Sequence, residues 1–140
     1  TLAHTAVAAA HLAGEQGVPV TVVDPVWALP VSEALVELCR DVDLVVTLED
    51  GGVAGGLGAA LSLACGQAGV WTPVRNLGVP QQFIPAGTRA EILEDLGLTP
   101  AGVARSVVEI ALDRAVVRLS APAPQEPRPS HVTKAGTEGR

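Results

Sequence analysis

The sequence predicts an α/β fold in which helices cover both faces of a mostly parallel sheet. Short runs of β-branched and aliphatic residues alternate along the chain with alanine- and leucine-rich segments of helical periodicity. The strand-like runs lack polar alternation, which is typical of strands buried on both faces. The chain has 140 residues, of which 48% are hydrophobic, so one domain can bury a core. Because only three residues are aromatic, that core is expected to consist of valine, leucine and alanine.

The first half of the chain contains two predicted helices and two predicted strands. Thr1–Glu15 is alanine-rich and helical in pattern, with Ala3, Val7, Ala10 and Gly14 on one face. Val18–Val23 is a continuous β-branched run that predicts a buried strand. Asp24-Pro25 ends this run. Ser32 is a suitable N-cap for a short helix, whose inward side is expected to carry Val31, Leu35 and Leu38. Leu44–Leu48 predicts the second strand.

The second half begins with a loop that has five glycines in the eight residues 51–58. A helix is expected over Leu57–Ala68, and a shorter strand over Val70–Val74, weakened by a proline. Thr88 and Glu91 have the spacing of a capping box that opens a helix closed by Gly97. A last helix starts after Thr99-Pro100, with Val103, Val107 and Ile110 facing inward.

The composition changes near residue 119. Four prolines occur in the eleven residues 120–130, and no apolar periodicity resumes before Arg140. Such a segment buries too little apolar surface to offset its ordering entropy. The sequence therefore predicts a domain over residues 1–118 and a disordered proline-rich tail over residues 119–140.

The charge distribution excludes several classes of partner. Residues 1–118 contain 13 acidic residues against 6 arginines, and the net charge of the whole chain is −6. Nucleic acids and anionic membrane surfaces attract basic proteins, so neither is an expected partner.

No apolar run approaches the roughly 18 residues of a membrane span, and the N-terminus lacks the basic region of a secretory signal.

The cysteines and histidines do not have the spacing of a metal site. Cys39 and Cys65 lie 26 positions apart in apolar patterns, and no histidine clusters with them. We expect both thiols to be reduced and buried, as in a cytoplasmic protein. His4 and His11 are expected to be surface residues.

Two features of the glycine loop admit a functional interpretation beside a structural one. Glycines between a strand and a helix can bind phosphate, but this loop lacks the residues of a nucleotide-binding motif, and Glu49 and Asp50 would repel an anion. The glycines otherwise allow close packing of strand and helix. Glu49 and Asp50 could act as an acid/base pair, although adjacent strand residues face opposite sides.

Several ordered blocks resemble a known enzyme family. They are Val22–Val31, Leu44–Asp50, the glycine loop, Asn76–Ile84 and Ala90–Leu98. Together they closely resemble the C-terminal, transketolase C-terminal-like domain of 1-deoxy-D-xylulose-5-phosphate synthases of actinobacterial type, over about Thr1–Arg114. The wider superfamily shares the blocks around Pro30 and Glu49, whereas the block Gly78-x-Pro80-x-x-Phe83 points to the synthases.

The resemblance implies a three-layer α/β/α domain, and its first, antiparallel strand is expected to be missing because Thr1 aligns just after it. It also implies a transferase that joins pyruvate and glyceraldehyde 3-phosphate, for isoprenoid precursors, on thiamine diphosphate and magnesium. Those cofactors belong to the preceding domains, so this chain is expected to hold none and to have no catalytic residue. Its expected roles are dimer contact and a wall of the acceptor site.

The loop that contains Asp24, Val26 and Trp27 is the expected substrate-proximal region. Synthases usually carry an arginine that helps to bind phosphate at the position of Val26 and a lysine at the position of Leu29. This departure suggests a degenerate paralogue or gene fragment. From the residues alone, Trp27 is expected to cap the core, and the alternative is a wall of a ligand pocket or a subunit interface. The alternatives to a synthase domain are a stand-alone module that pairs with a separate thiamine-binding chain and a non-functional remnant.

Overall fold

Helices flank a two-stranded parallel sheet in the computed structural model, which describes the backbone of residues 2–120 and the side chains of residues 2–115. The elements are α1 (Ala3–Glu15), α2 (Glu33–Leu38), a 3-10 helix (Cys39–Asp41), β1 (Val45–Gly52), α3 (Leu57–Gln67), β2 (Val74–Val79), α4 (Arg89–Asp95) and α5 (Pro100–Ser120). The predicted α/β class and parallel pairing are confirmed.

The two strands pair in one register for most of their length. Val45 lies opposite Val74, and Leu48 lies opposite Leu77, before an irregularity that brings Gly52 opposite Val79. Because side chains alternate across a strand, each strand contributes to both faces of the sheet. This alternation produces two separate cores.

One core lies between the sheet and the helices α2 and α3. Its buried members are Val36, Cys39, Leu61, Cys65 and Val70. The other lies between the sheet and the helices α1 and α5, where Ala9, Val103 and Ala104 pack with Leu48 and Leu77. The small alanines allow α1 and α5 to approach closely, and the two cores make the domain three-layered. Valine, leucine and alanine dominate both, as expected, with two cysteines added.

Helix ends follow the predicted capping residues. The hydroxyl of Ser32 accepts a hydrogen bond from the amide of Leu35 at 3.2 Å. Thr88 and Glu91 form a complete capping box at the start of α4. Gly97, just after α4, has a φ of +68°, a conformation that a residue with a Cβ adopts only with strain.

The predicted buried strand at Val18–Val23 is wrong. The segment forms no ladder with β1 or β2, and Val20, Val22 and Val23 are exposed. The amide of Val18 instead bonds to the carbonyl of Ala13 at the end of α1, at 3.0 Å. A β-branched run favours an extended backbone, but it becomes a strand only where a neighbouring strand pairs with it.

The third predicted strand, Val70–Val74, is displaced toward the C-terminus. Val70 lies just after α3, and its amide bonds to the carbonyl of Cys65 in the last turn of that helix at 2.8 Å. Pro73 has no amide hydrogen to give to a ladder, so β2 starts at Val74. The second strand also runs four residues further than expected, to Gly52.

Two helical faces differ from expectation. In α1 the buried residues are Ala9 and Ala13, and Val7 is exposed, because an alanine-rich helix has no strong apolar side to read from the sequence. In α2 Leu38 is exposed, and Val36 and Cys39 fill the core instead. His11 is exposed as expected and lies 3.4 Å from the carboxylate of Glu15, one helical turn later.

The C-terminal helix extends past the predicted domain boundary. It includes Leu119 and Ser120, and the rest of the predicted tail, residues 121–140, lies outside the described residues. The expected absence of a first antiparallel strand stays a prediction. All three aromatic side chains are exposed, namely Trp27, Trp71 and Phe83, so none of them caps a core.

Candidate functional site

The carboxyl ends of β1 and β2 form the candidate site. In open α/β sheets, ligands bind beside the carboxyl ends of the strands. Glu49 and Asp50 lie at this end of β1, and Val79 ends β2. The glycine loop that joins β1 to α3 starts at the same edge. The chemistry available there depends on the direction in which each carboxylate points.

The side chain of Glu49 points toward α3, and two backbone amides of that helix bond to its carboxylate. Its Oε2 accepts a hydrogen bond from the amide of Leu57 at 2.7 Å, and its Oε1 accepts one from Gly58 at 2.9 Å. These amides belong to the first turn of the helix, where no carbonyl of the helix can bond to them. A carboxylate therefore fills the position at which a phosphate would bind, and the packing interpretation of the glycine loop is favoured.

Two glycines make this arrangement possible. A Cβ at Gly56 would collide with the Glu49 carboxylate, and one at Gly58 would collide with the side chains of Thr47 and Asn76. Those two side chains are joined by a hydrogen bond between Thr47 Oγ1 and Asn76 Oδ1 at 3.1 Å. The bond links β1 to β2 beneath α3, and the absence of a side chain at Gly58 lets the helix lie on it.

Asp50 points to the opposite face, as the alternation of the strand predicts. Its Oδ2 accepts a hydrogen bond from the guanidinium of Arg89 at the start of α4. This pair borders an open groove of about 700 Å³ with apolar walls. Glu49 and Asp50 therefore cannot act together on one substrate within this chain.

Arg89 was not singled out from the sequence, although its position offered a signal. The capping box at Thr88 fixes the start of α4 and so places Arg89 in its first turn. The sequence alone does not show that this turn lies beside the end of β1. That contact joins residues 39 positions apart and follows only from the folded chain.

The predicted substrate-proximal residues lie together in one exposed turn. The carboxylate of Asp24 accepts a hydrogen bond from the amide of Val26 at 2.9 Å. Val26 has a φ of +57°, a region that β-branched residues avoid, and it is 87% exposed. Trp27 is 75% exposed. The turn offers a carboxylate and apolar surface to solvent, and it carries no cation.

The two cysteines are free and buried, as predicted. Burial raises the pKa of the Cys39 thiol from 9.0 to about 11, and the adjacent Cys65 adds to this shift. The Cys39 thiol donates a hydrogen bond to the carbonyl of Leu35 at 3.2 Å. A protonated, inaccessible thiol is a poor nucleophile and a poor metal ligand.

The described residues contain no group of three or more histidine, cysteine, aspartate or glutamate side chains that could hold a metal ion. None of their helices is both long enough and apolar enough to cross a membrane.

The family assignment comes from comparison with known proteins. The family model of the transketolase C-terminal domain matches residues 1–103, which include α1 to α4, both strands and the glycine loop. The chain belongs to the transketolase C-terminal domain family. The candidate site at the carboxyl ends of β1 and β2 therefore lies within the part of the chain that matches this family.

Similar proteins within this family are named 1-deoxy-D-xylulose-5-phosphate synthase. The one from Rhodococcus jostii is 52% identical over 102 residues, which are 73% of this chain and 16% of the relative. The one from Corynebacterium jeikeium is 49% identical over 110 residues, 79% of this chain and 18% of the relative. A synthase 1 from Kitasatospora griseola is 47% identical over 121 residues, 86% of this chain and 19% of the relative. The chain thus spans less than a fifth of the length of these relatives.

Proposed function

We propose that this chain serves as the C-terminal domain of a 1-deoxy-D-xylulose-5-phosphate synthase, which joins pyruvate and glyceraldehyde 3-phosphate with loss of carbon dioxide. The observation that carries the proposal is the 47–52% identity to synthases across the transketolase C-terminal region.

Within such an enzyme, the domain contributes dimer contacts and a wall of the acceptor site. The turn of Asp24, Val26 and Trp27 supports this role because its side chains face outward and can contact another domain. Val26 gives the acceptor phosphate no positive charge there. A protein with arginine at this position would bind the phosphate more tightly, since a guanidinium makes charge-assisted hydrogen bonds.

The cofactors thiamine diphosphate and magnesium belong, in this proposal, to the domains that precede this one. The described residues of this chain do not fit them. The helix N-terminus beside the glycine loop is filled by the Glu49 carboxylate, which would repel a diphosphate, and the described residues include no cluster of metal ligands. In this proposal, the chain is not catalytic by itself.

A cytoplasmic location accompanies the proposal. The two buried cysteines support it because they are unpaired, as is usual in a reducing compartment.

The test uses the synthase of Rhodococcus jostii with the region that matches this chain removed. We expect no product from the shortened enzyme, and we expect dimer formation and product when residues 1–118 are fused in that place. The same residues added as a separate chain test the alternative of a stand-alone partner. A fusion that is no more active than the shortened enzyme would contradict the proposal.

A further inference from the structure

The amino ends of the two strands border a small cleft, at the opposite edge of the sheet from the candidate site. Its volume is about 180 Å³, which is roughly the volume of six water molecules in the liquid. Leu44 and Pro73 directly precede β1 and β2, and residues of α5 form the other wall. The lining residues are Leu44, Pro73, Arg75, Ile110, Asp113 and Arg114.

The two arginines of this cleft stand where the surrounding pattern has apolar residues. Arg75 precedes Leu77 by two positions in β2, so both are on the face of the sheet that α5 covers. In α5, Arg114 continues the helical row of Val103 and Ile110, and Val103 is buried in the core beneath the helix. The fold therefore directs both guanidinium groups to one cleft at the end of this apolar core.

The guanidinium of Arg114 lacks an acceptor in the cleft. Its Nε is buried and has no hydrogen-bond partner among the described residues. Among the side chains that the structure describes, the arginines in ion pairs are Arg40 and Arg89, and neither Arg75 nor Arg114 is in one. Because a buried N–H without an acceptor is unfavourable, the cleft favours the arrival of an oxygen acceptor.

The charges and walls of the cleft favour a monoanion with an apolar part. Two guanidinium groups and the carboxylate of Asp113 leave one net positive charge. A guanidinium binds a planar carboxylate through two parallel N–H bonds. Leu44, Pro73 and Ile110 provide apolar walls on which hydrocarbon can pack. A phosphate dianion would gain nothing from these walls and would be repelled by Asp113.

We propose that this cleft binds a small monocarboxylic acid with a short hydrocarbon chain. Its carboxylate accepts hydrogen bonds from the Nε of Arg114 and from the guanidinium of Arg75, and its hydrocarbon packs on Leu44 and Ile110. The bound acid joins α5 to the start of β2, and it stabilises the domain because it binds only the folded chain. This site is separate from the candidate site and stands whether or not the chain serves in a synthase.

NMR titration of the 140-residue chain with sodium butyrate at constant ionic strength tests the proposal. The Nε–H signal of Arg114 reports directly on the acceptor, and its absence in Arg114→Gln assigns it. We expect this signal to move downfield and to saturate with a dissociation constant of about 1–10 mM. Butylammonium has a similar hydrocarbon chain and the opposite charge, so it should leave the signal unchanged. Inorganic phosphate should bind at least about tenfold more weakly than butyrate.

Substitutions of the lining charges should change the dissociation constant for butyrate in opposite directions. Arg75→Gln should raise it about tenfold, and so should Arg114→Lys, which keeps the charge but loses the planar fork. Asp113→Asn should lower it about threefold, because it removes a repelling carboxylate. The matched control is Arg105→Gln, which removes one positive charge from an exposed position of α5 outside the cleft. It should leave the constant within about twofold.

Thermal denaturation gives a second measure of binding. Butyrate at ten times its dissociation constant should raise the Tm of the unsubstituted chain more than that of Arg114→Lys. Arg75 and Asp113 are exposed, so their variants carry the comparison if Arg114→Lys does not fold, and circular dichroism shows which variants are folded.

Several results would overturn the proposal. One is a linear shift of the Arg114 signal that does not saturate with butyrate. Another is phosphate binding as tight as that of butyrate, which would exclude a site selective for carboxylates. An equal loss of affinity in Arg105→Gln and Arg75→Gln would reduce the effect to net charge and would also contradict a specific site.

Discussion

At the scale of single residues, Glu49 and Asp50 are neighbours with different tasks. Glu49 binds two backbone amides of α3, whereas Asp50 binds an exposed arginine on the other face. The alternation of strand residues allowed their separation to be predicted from sequence. The partner of each could not be predicted, because both partners are brought near only by the fold.

The first prediction compares these two carboxylates. We expect Glu49→Ala to lower the free energy of unfolding by about 1.5–3 kcal/mol, the usual contribution of a hydrogen bond to a charged group. Asp50→Asn is the matched control and should cost less than about 1 kcal/mol, since its ion pair is exposed. Urea denaturation of both variants measures the difference. Equal losses would contradict the role given to Glu49.

The second prediction concerns the dependence of stability on pH. Because burial raises the pKa of Cys39 to about 11, the unfolded chain loses this proton at lower pH than the folded chain. The contribution of this pKa shift to the stability of the folded chain is complete below pH 9.0 and is lost as the pH rises to about 11. We expect the free energy of unfolding to fall by about 2–3 kcal/mol over this range. The chain has no tyrosine and one lysine, so few other groups titrate there. Denaturation at pH 8 and pH 11 should show the loss, and Cys39→Ala should reduce it.

At the scale of elements, the helices were easier to predict than the strands. Local signals mark helix ends, as at Ser32 and Thr88, because a capping side chain bonds within its own turn. Strands depend on a partner elsewhere in the chain. Val18–Val23 has the composition of a strand but pairs with neither β1 nor β2. The strand Val74–Val79 begins directly after Pro73, because a proline has no amide hydrogen to give to the ladder.

The packing of α3 on the sheet provides the third prediction. A Cβ at Gly58 would collide with the bonded pair of Thr47 and Asn76, whereas a Cβ at Gly66 in the same helix meets nothing within 4 Å. We expect Gly66→Ala to raise the free energy of unfolding by up to about 1 kcal/mol through helix propensity. Gly58→Ala should lower it by about 1–3 kcal/mol through overpacking. Thermal denaturation of both variants gives the comparison, and a stabilising Gly58→Ala would contradict this packing.

At the scale of the whole molecule, the chain is a transketolase C-terminal domain, and its place in a larger enzyme is our proposal. The resemblance of several ordered blocks predicts the family from the sequence alone, and the match over residues 1–103 confirms it. The substrate-proximal residues Asp24, Val26 and Trp27 stay a prediction, because a site shared between domains is not visible in one of them.

The fourth prediction concerns the cofactor. We expect residues 1–140 alone not to bind thiamine diphosphate with a dissociation constant of about 10 μM or tighter, which corresponds to roughly −7 kcal/mol. The reason is that a carboxylate fills the one helix N-terminus beside the glycine loop. Isothermal titration calorimetry in the presence of magnesium makes the measurement. Tight binding would mean that the cofactor site is not confined to the preceding domains.

The Michaelis constant for glyceraldehyde 3-phosphate tests most directly whether this chain forms a wall of the acceptor site. It is measured in the fusion with the Rhodococcus jostii enzyme, with Val26 and with Val26→Arg, and Val26→Gly serves as the control for relief of the positive φ. We expect arginine to lower the constant by about 10- to 150-fold, which corresponds to 1.5–3 kcal/mol. Glycine should leave it unchanged, and the constant for pyruvate should stay the same in all three. Equal constants for the acceptor with valine and arginine would mean that the phosphate is bound elsewhere, and would contradict the account.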